Sequence, residues 1–458
     1  MKRHLLMAAA LYACAALILP AAAAAANFTA GSSGTGDPYY PLAGNGGYDV
    51  AHYGLKLDYQ PDGHELTGRA TILATTTQRL SRFDLDLLGY TVRQILVDGA
   101  AATFTRDGQE LVITPAAGIA AGSTFEVAIS YAGVAEAIVD EGSLEGWIPT
   151  DDGAYVAGEP TGSPGWYPVN DEPADKATFD FTVTVPKGLT VMCNGVLLWH
   201  KTARGRTTWR WSETDPMSPY LATATTGRFD LTEYEIDGIP TYVAVDPTLQ
   251  KGQVLAKLPA IVRFFVDLYG EYPFNAAGAI VDNAKFVDYA LETQTKPIFD
   301  RMPDEWTLVH ETAHMWYGDS VTLTDWPDIW LNEGFATWSN WIWSERQGNK
   351  TAHQQFKQYY NTPEQGWIWG IATGAPGGPA FMWDWGAVYL RGAMTLQALR
   401  EKIGDGVFFG IMRDWAHDNR YGSVTTAEFI ALAEQKSAMD LDAFFRVWLY
   451  EAGKPVAW

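Results

Sequence analysis

At Asp246-Pro247 the spacing of apolar residues changes period, and this change constrains the fold more than any other feature of the chain. Ahead of it, from Tyr48 onward, segments such as Tyr53-Gly54-Leu55-Lys56-Leu57-Asp58 and Phe179-Asp180-Phe181-Thr182-Val183-Thr184-Val185 alternate apolar and polar residues between Gly, Pro and Asp turns. A period of two sends every second side chain to one face of a strand, so 48–246 is expected to form an antiparallel β domain of ordinary size. Beyond it, apolar residues recur at helical spacing, as over 254–269, where a helix should stop at Gly270. Strand-like pieces persist at 278–281 and 289–295. The chain then turns almost wholly helical, and Thr425 with Glu428 forms a capping box ahead of Phe429-Ile430-Ala431-Leu432. The expected class is α+β, with a β domain at 48–246 and a mostly helical domain at 247–458.

Residues 1–26 read as a targeting segment: Lys2 and Arg3, an apolar run to Leu19, Pro20, then alanines ending at Ala26. Export to a periplasmic or extracellular space, with cleavage near Ala26, is the expectation. Lipid anchoring at Cys14 is disfavoured, because Tyr12 is bulky and apolar sequence continues past the cysteine. Residues 27–47 are rich in Gly, Ser, Ala and Pro and are expected to be a flexible lead-in. No later stretch reaches the roughly 20 apolar residues that a membrane span needs, so no transmembrane segment is expected. With the leader removed only Cys193 remains, which excludes an intrachain disulfide. A formal charge of −22 argues against nucleic acid or anionic membranes as partners and would draw small cationic substrates. Nothing in the sequence fixes an oligomeric state.

His310-Glu311-Thr312-Ala313-His314 lies in a helical run that begins near Pro303. Side chains four apart share one helical face about 6 Å apart along the axis, so two imidazoles can converge on one ion, the zincin arrangement. Glu311 then stands beside the metal without binding it, placed to take a proton from the water that the metal activates. A third ligand must come from a facing element. Asn332-Glu333-Gly334-Phe335-Ala336 offers Glu333, 19 positions after His314 and near the start of another helical stretch. Two histidines and a glutamate leave one position open, which is the catalytic rather than the structural zinc pattern, with one Zn2+ per chain. Asp325 and Asp328 are either supports for a ligand histidine or solvated loop acids.

With these residues in view the chain resembles the M1 metallopeptidases, the family of aminopeptidase N and leukotriene hydrolase, across nearly all of the mature sequence. The resemblance implies a saddle-like N-terminal β domain on a thermolysin-like, mostly helical zinc peptidase domain. It makes Glu311 the general base and His310, His314 and Glu333 the zinc ligands. The family's Gly-x-Met-Glu-Asn strand corresponds to Tyr289-Ala290-Leu291-Glu292-Thr293, of which only the glutamate matches. Glu292 is thereby implied to bind the substrate's free amine, with the backbone of Tyr289 and Ala290 pairing with substrate as an added strand. Glu159 corresponds to a second acidic anchor from the β domain. Tyr389, in Tyr389-Leu390-Arg391-Gly392, corresponds to the catalytic tyrosine that donates to the oxyanion. Asp288 falls where the family lines the pocket for the first side chain. There it would favour Lys or Arg, unless it caps a loop and faces solvent.

Larger members add a C-terminal helical domain over the active site, whereas this chain stops at Trp458, so an open site is expected. The implied activity is removal of N-terminal residues from peptides with a free N-terminus. An endopeptidase or other zinc hydrolase on the same site is the first alternative. A non-catalytic secreted binding protein is the second.

Overall fold

The computed structural model describes residues 27–250 and 252–456; residues 1–26, expected to be a leader, lie outside them together with Cys14. An eight-stranded sheet forms the body of the N-terminal half. Its spatial order is Val196–Ala203, Arg206–Met217, Ala177–Pro186, Tyr48–Gln60, Glu65–Thr76, Thr124–Val134, Thr91–Val97 and Ala100–Ala101. In Tyr48–Gln60 the buried residues are Tyr48 and Val50, then Tyr53, Leu55, Leu57 and Tyr59. The parity switches because a bulge between Val50 and His52 inserts one residue into the register. Within this sheet one pairing departs from the antiparallel expectation. Ala177–Pro186 joins Tyr48–Gln60 in parallel, since the long excursion between them brings the chain back to the same end of the sheet.

A five-stranded sheet carries β1 (Ser143–Pro149) and β2 (Ala154–Ala157), whose antiparallel pairing sets Gly146 opposite Ala157 and leads the chain out to Glu159. A further sheet joins Asp230–Ile236 and β3 (Ile239–Val245) to β4 (Ala277–Val281), β5 (Ala290–Leu291) and β6 (Ile298–Phe299). Its order is 230–236, β3, β4, β6, β5, so β5 is an edge strand. Because β3 pairs in parallel with β4, this sheet runs across Asp246. By sheet membership the division of the chain falls near Gly227 rather than at Asp246. The period change marks where helices begin, not where one sheet gives way to another.

The helical half begins with α1 (Leu258–Tyr269), which ends at Gly270 with φ of 108°. Next come α2 (Glu305–Ala313), α3 (Trp330–Arg346), α4 (Arg391–Ile403) and α5 (Thr426–Ser437), the last opening on the Thr425–Glu428 capping box. Helix α3 packs against both α2 and α4 through an apolar face that includes Trp330, Phe335, Trp338 and Trp341. Its crossing with α4 is close. A Cβ on Gly334 would lie 2.9 Å from the Gly392 Cα, so only glycine fits on both sides. Among the described residues no helix is long and apolar enough to cross a membrane.

The lead-in is not the loose segment expected from its composition. Thr29–Ala30 pairs with the strand Leu80–Asp86. Asp37 accepts from the backbone N–H groups of Tyr39 and Tyr40 with one oxygen and from that of Trp326 with the other. The Tyr40 hydroxyl donates to Asp140, and the Gly377 N–H donates to the Tyr39 hydroxyl. A few anchoring side chains therefore tie a Gly/Ser-rich segment to both halves of the molecule.

Candidate active site

Helix α2 starts at Asp304, whose side chain accepts from the Thr307 N–H, and presents His310 and Glu311 in its last turn. His314 is just past the helix but keeps right-handed backbone angles, so the spacing of four still aligns the two imidazoles. Glu333 comes from the first turn of α3. The three side chains are buried, and one donor atom from each falls within 4.8 Å of the others. Glu333 Oε2 is 2.9 Å from His310 Nε2 and 3.6 Å from His314 Nε2. Tetrahedral zinc with ligand bonds of about 2.0–2.1 Å separates its donors by about 3.3 Å, so the cluster has the right size.

The far sides of the rings also fit a metal. His314 Nδ1 is 3.0 Å from the Tyr317 carbonyl, to which it donates, leaving Nε2 as the lone-pair donor. His310 Nδ1 faces the side-chain amide of Asn340 at 3.3 Å. The amide nitrogen is the atom turned to Nδ1, so freeing Nε2 for an ion requires the Asn340 amide to rotate and present its oxygen to the ring. These supports replace the two aspartates considered from the sequence. Asp328 accepts from the Thr426 N–H and hydroxyl at the start of α5, and Asp325 precedes the turn at Trp326–Asp328.

The donors open into a cleft of about 510 Å3 lined also by Glu159, Tyr289, Ala290, Glu292, Glu311 and Tyr389. All of the substrate and catalytic positions expected from the sequence are thus brought to one cavity. Glu292 is 2% exposed, and one carboxylate oxygen each of Glu292 and Glu159 has no hydrogen-bond partner. Glu292, Glu311 and His314 form a second group of donors within 4.8 Å of one another. Burial lifts the carboxyls of Glu159, Glu292 and Glu311, and the charge of Glu292 adds to the effect on Glu159 and Glu311. Against its own burial, Glu333 is held down to about 2 by the two imidazoles. Burial likewise lowers His310 but is outweighed at His314 by Glu292 and Glu333. Tyr389 is raised by burial and by the surrounding carboxylates, which keeps its phenol a proton donor.

Tyr389 lies in the π-helical segment Trp385–Leu390 that feeds into α4, its ring nearly parallel to His310 with centroids 5.9 Å apart. Glycines 334 and 392 explain the placement: their contact sets the separation of α3 and α4, and so of Glu333 and Tyr389. On the opposite wall the Tyr289 hydroxyl donates to the Leu144 carbonyl, and the Tyr155 hydroxyl donates to the Tyr289 carbonyl. The backbone of 289–290 is therefore fixed at the free side of β5.

Asp288 reaches the cleft, but not as a free charge. Its carboxylate is 2.5 Å from Arg301, its side chain is 81% exposed, and its φ is 67°. The cation it was expected to meet in a substrate is already supplied by the chain. Sequence reasoning also missed lining residues, notably Asp140, Glu145, Trp306, Trp383 and Trp385. Trp306 and Trp385 each stand four residues before a site residue, His310 and Tyr389, so helical spacing could have flagged them. Asp140 and Glu145 belong to a distant hairpin and carry no local signal.

Two family models match the chain: the Peptidase M1 N-terminal domain over residues 50–221 and the Peptidase family M1 domain over 290–448. Aminopeptidase N of Streptomyces lividans is 27% identical over 332 residues, covering 62% of this chain and 36% of that protein. Aminopeptidase 2 of Candida albicans is 22% identical over 446 residues, covering 88% of this chain and 47% of its own length. The chain thus spans between about a third and a half of these curated relatives. A solved M1 zinc metallopeptidase from Deinococcus radiodurans matches over its whole length, 100% of that chain and 93% of this one, with a TM-score of 0.84 and 27% identity. A mutant of that protein has been solved bound to a Tyr-Ser-Ala substrate.

Proposed function

The chain belongs to the M1 peptidase family, and from that membership and the geometry of its cleft we propose that it is a zinc aminopeptidase acting on peptides with a free N-terminus. The observation that carries the proposal is the pair Glu159 and Glu292. Two neighbouring carboxylates, each with an unpartnered oxygen, line the cavity that holds the metal donors. Such a pair is costly without a cation, and the cation of matching chemistry is a substrate ammonium group. A fixed ammonium leaves room for one residue before the metal, which selects the first peptide bond.

When bound, zinc polarises the scissile carbonyl and lowers the pKa of water towards about 7. Glu311, beside the donors on the same helix, accepts the proton of the attacking water and returns it to the departing amine. The Tyr389 hydroxyl donates to the oxyanion as it develops. The edge of β5 at Tyr289 and Ala290 holds the substrate backbone as an added strand, and Glu292 with Glu159 anchors the amine. An endopeptidase would need no such anchor.

The decisive experiment compares a free peptide with its N-acetylated form, with and without chelator. Chelator-sensitive release of the first residue from the free peptide alone is expected. Internal cleavage of the acetylated peptide at an equal rate would replace this reading with the endopeptidase one. We also propose export, from the composition of residues 1–26. The mature N-terminus of periplasmic or secreted protein should fall near Asn27, and intact leader on the native protein would refute it.

A further inference from the structure

Beyond the first residue, we propose that the cleft has an aromatic subsite on the leaving side of the scissile bond, built from Trp306 and Trp385, that selects peptides with an aromatic second residue. The inference rests on the aminopeptidase reading, because the direction of the substrate follows from the amine anchors.

That direction is fixed by which imidazole each wall adjoins. Glu292 groups with His314, so the ammonium end lies on the His314 side of the metal donors. Trp306 adjoins the other imidazole: its ring is nearly parallel to His310, with centroids 4.9 Å apart. Trp385 meets Trp306 edge-to-face at 5.3 Å and lies tilted against Tyr389 at 5.1 Å. A peptide anchored by its amine and carrying its first carbonyl to the metal must run on towards these two indoles.

Both indoles line the cavity, yet Trp306 is 37% and Trp385 42% exposed. Among the described residues ten other tryptophans, Trp316, Trp330 and Trp338 among them, are fully buried. Exposed tryptophan at a cavity wall, held in place by its neighbours, offers a rigid apolar surface that loses little freedom on binding. A third indole packs beside the Trp385 segment, outside the residues that line the cavity. Trp367, 58% exposed, lies over Gly386, where an added Cβ would sit 2.5 Å from its ring. An aromatic side chain fits this surface better than an aliphatic one, since ring pairs gain attraction beyond the area they bury.

Peptides Leu-Phe-Ala and Leu-Gly-Ala, assayed by release of leucine, test the proposal in the zinc-loaded full chain. Wild type is expected to favour the Phe peptide by about tenfold or more in kcat/KM, in keeping with one good aromatic contact. Trp385→Ala and Trp306→Ala should bring the ratio to within about twofold, while Trp385→Phe should keep most of it. Metal content measured on each variant separates this from a role for Trp306 in holding His310. A wild-type ratio near one, or an equal loss on both peptides at full zinc content, would overturn the subsite. If wild type released leucine from neither peptide, the aminopeptidase reading itself would fail.

Discussion

The contact between Gly334 and Gly392 makes a quantitative demand on catalysis. A Cβ added at Gly392 would lie 2.8 Å from the Gly334 Cα, whereas carbon atoms pack best at about 3.5–4.0 Å. Both partners are backbone, so in Gly392→Ala the helices α3 and α4 must part by about 0.7–1.2 Å. Overpacking of this kind costs about 1–3 kcal/mol. Replacing a helical glycine by alanine returns up to about 1 kcal/mol. The net loss of stability, about 0–3 kcal/mol, would move the melting temperature by only a few degrees in a chain of this size. Catalysis is the sharper readout, because Glu333 and Tyr389 sit on opposite sides of the contact. Misplacing a catalytic group by about 1 Å can cost about 10²-fold. Gly392→Ala should therefore lower kcat on an aminoacyl fluorogenic substrate by about 10–100-fold, with full zinc occupancy and little change in KM. Wild-type kcat at full occupancy would show that the two glycines do not set the distance between the metal and the tyrosine.

Tyr389→Phe should lower kcat by about 10²–10³-fold with KM nearly unchanged, as for a donor used in the transition state; wild-type turnover would return Tyr389 to a packing role. Glu311→Ala should keep about one zinc per chain while losing about 10²–10⁴-fold or more in turnover, whereas Glu333→Ala should lose the metal itself. Metal analysis of the two folded variants distinguishes base from ligand, and an empty site in Glu311→Ala would contradict the assignment. Stability should depend on pH with two opposed slopes. Burial lifts Asp86 and Asp282 to about 7 and Glu213 to about 8, so between about pH 4 and 8 the folded state holds protons that the unfolded chain releases, and stability falls as pH rises. Burial pulls Lys176 and Lys296 down to about 7, so above that pH the unfolded chain binds more protons and stability recovers up to the ordinary lysine range. Melting temperatures measured with chelator should pass through a minimum near pH 7–8, and a steady rise from pH 5 to 8 would refute these shifts.

Elements that obey local rules were legible in the chain before it folded. Helix α1 stops at Gly270, α5 opens on its capping box, and His310, Glu311 and His314 converge because a helix repeats every 3.6 residues. Glu333 was legible because its own helix starts beside it, and Glu159, Glu292 and Tyr389 through resemblance to a family, although around Glu292 only the glutamate of the family's motif is kept. Tertiary structure decided whatever depends on pairing between distant segments. The parallel return of Ala177–Pro186, the sheet that runs across Asp246 and the anchoring of the lead-in through Asp37 are all long-range contacts with no local periodicity to announce them. Charge was decided the same way. Asp288 reads as a free carboxylate until Arg301, thirteen positions later, is found against it. Asp140 and Glu145 read as surface acids until their hairpin folds over the cleft. A side chain's chemistry is written in the sequence, but its partner, and hence whether that chemistry is available to a substrate, is set only when the chain closes on itself.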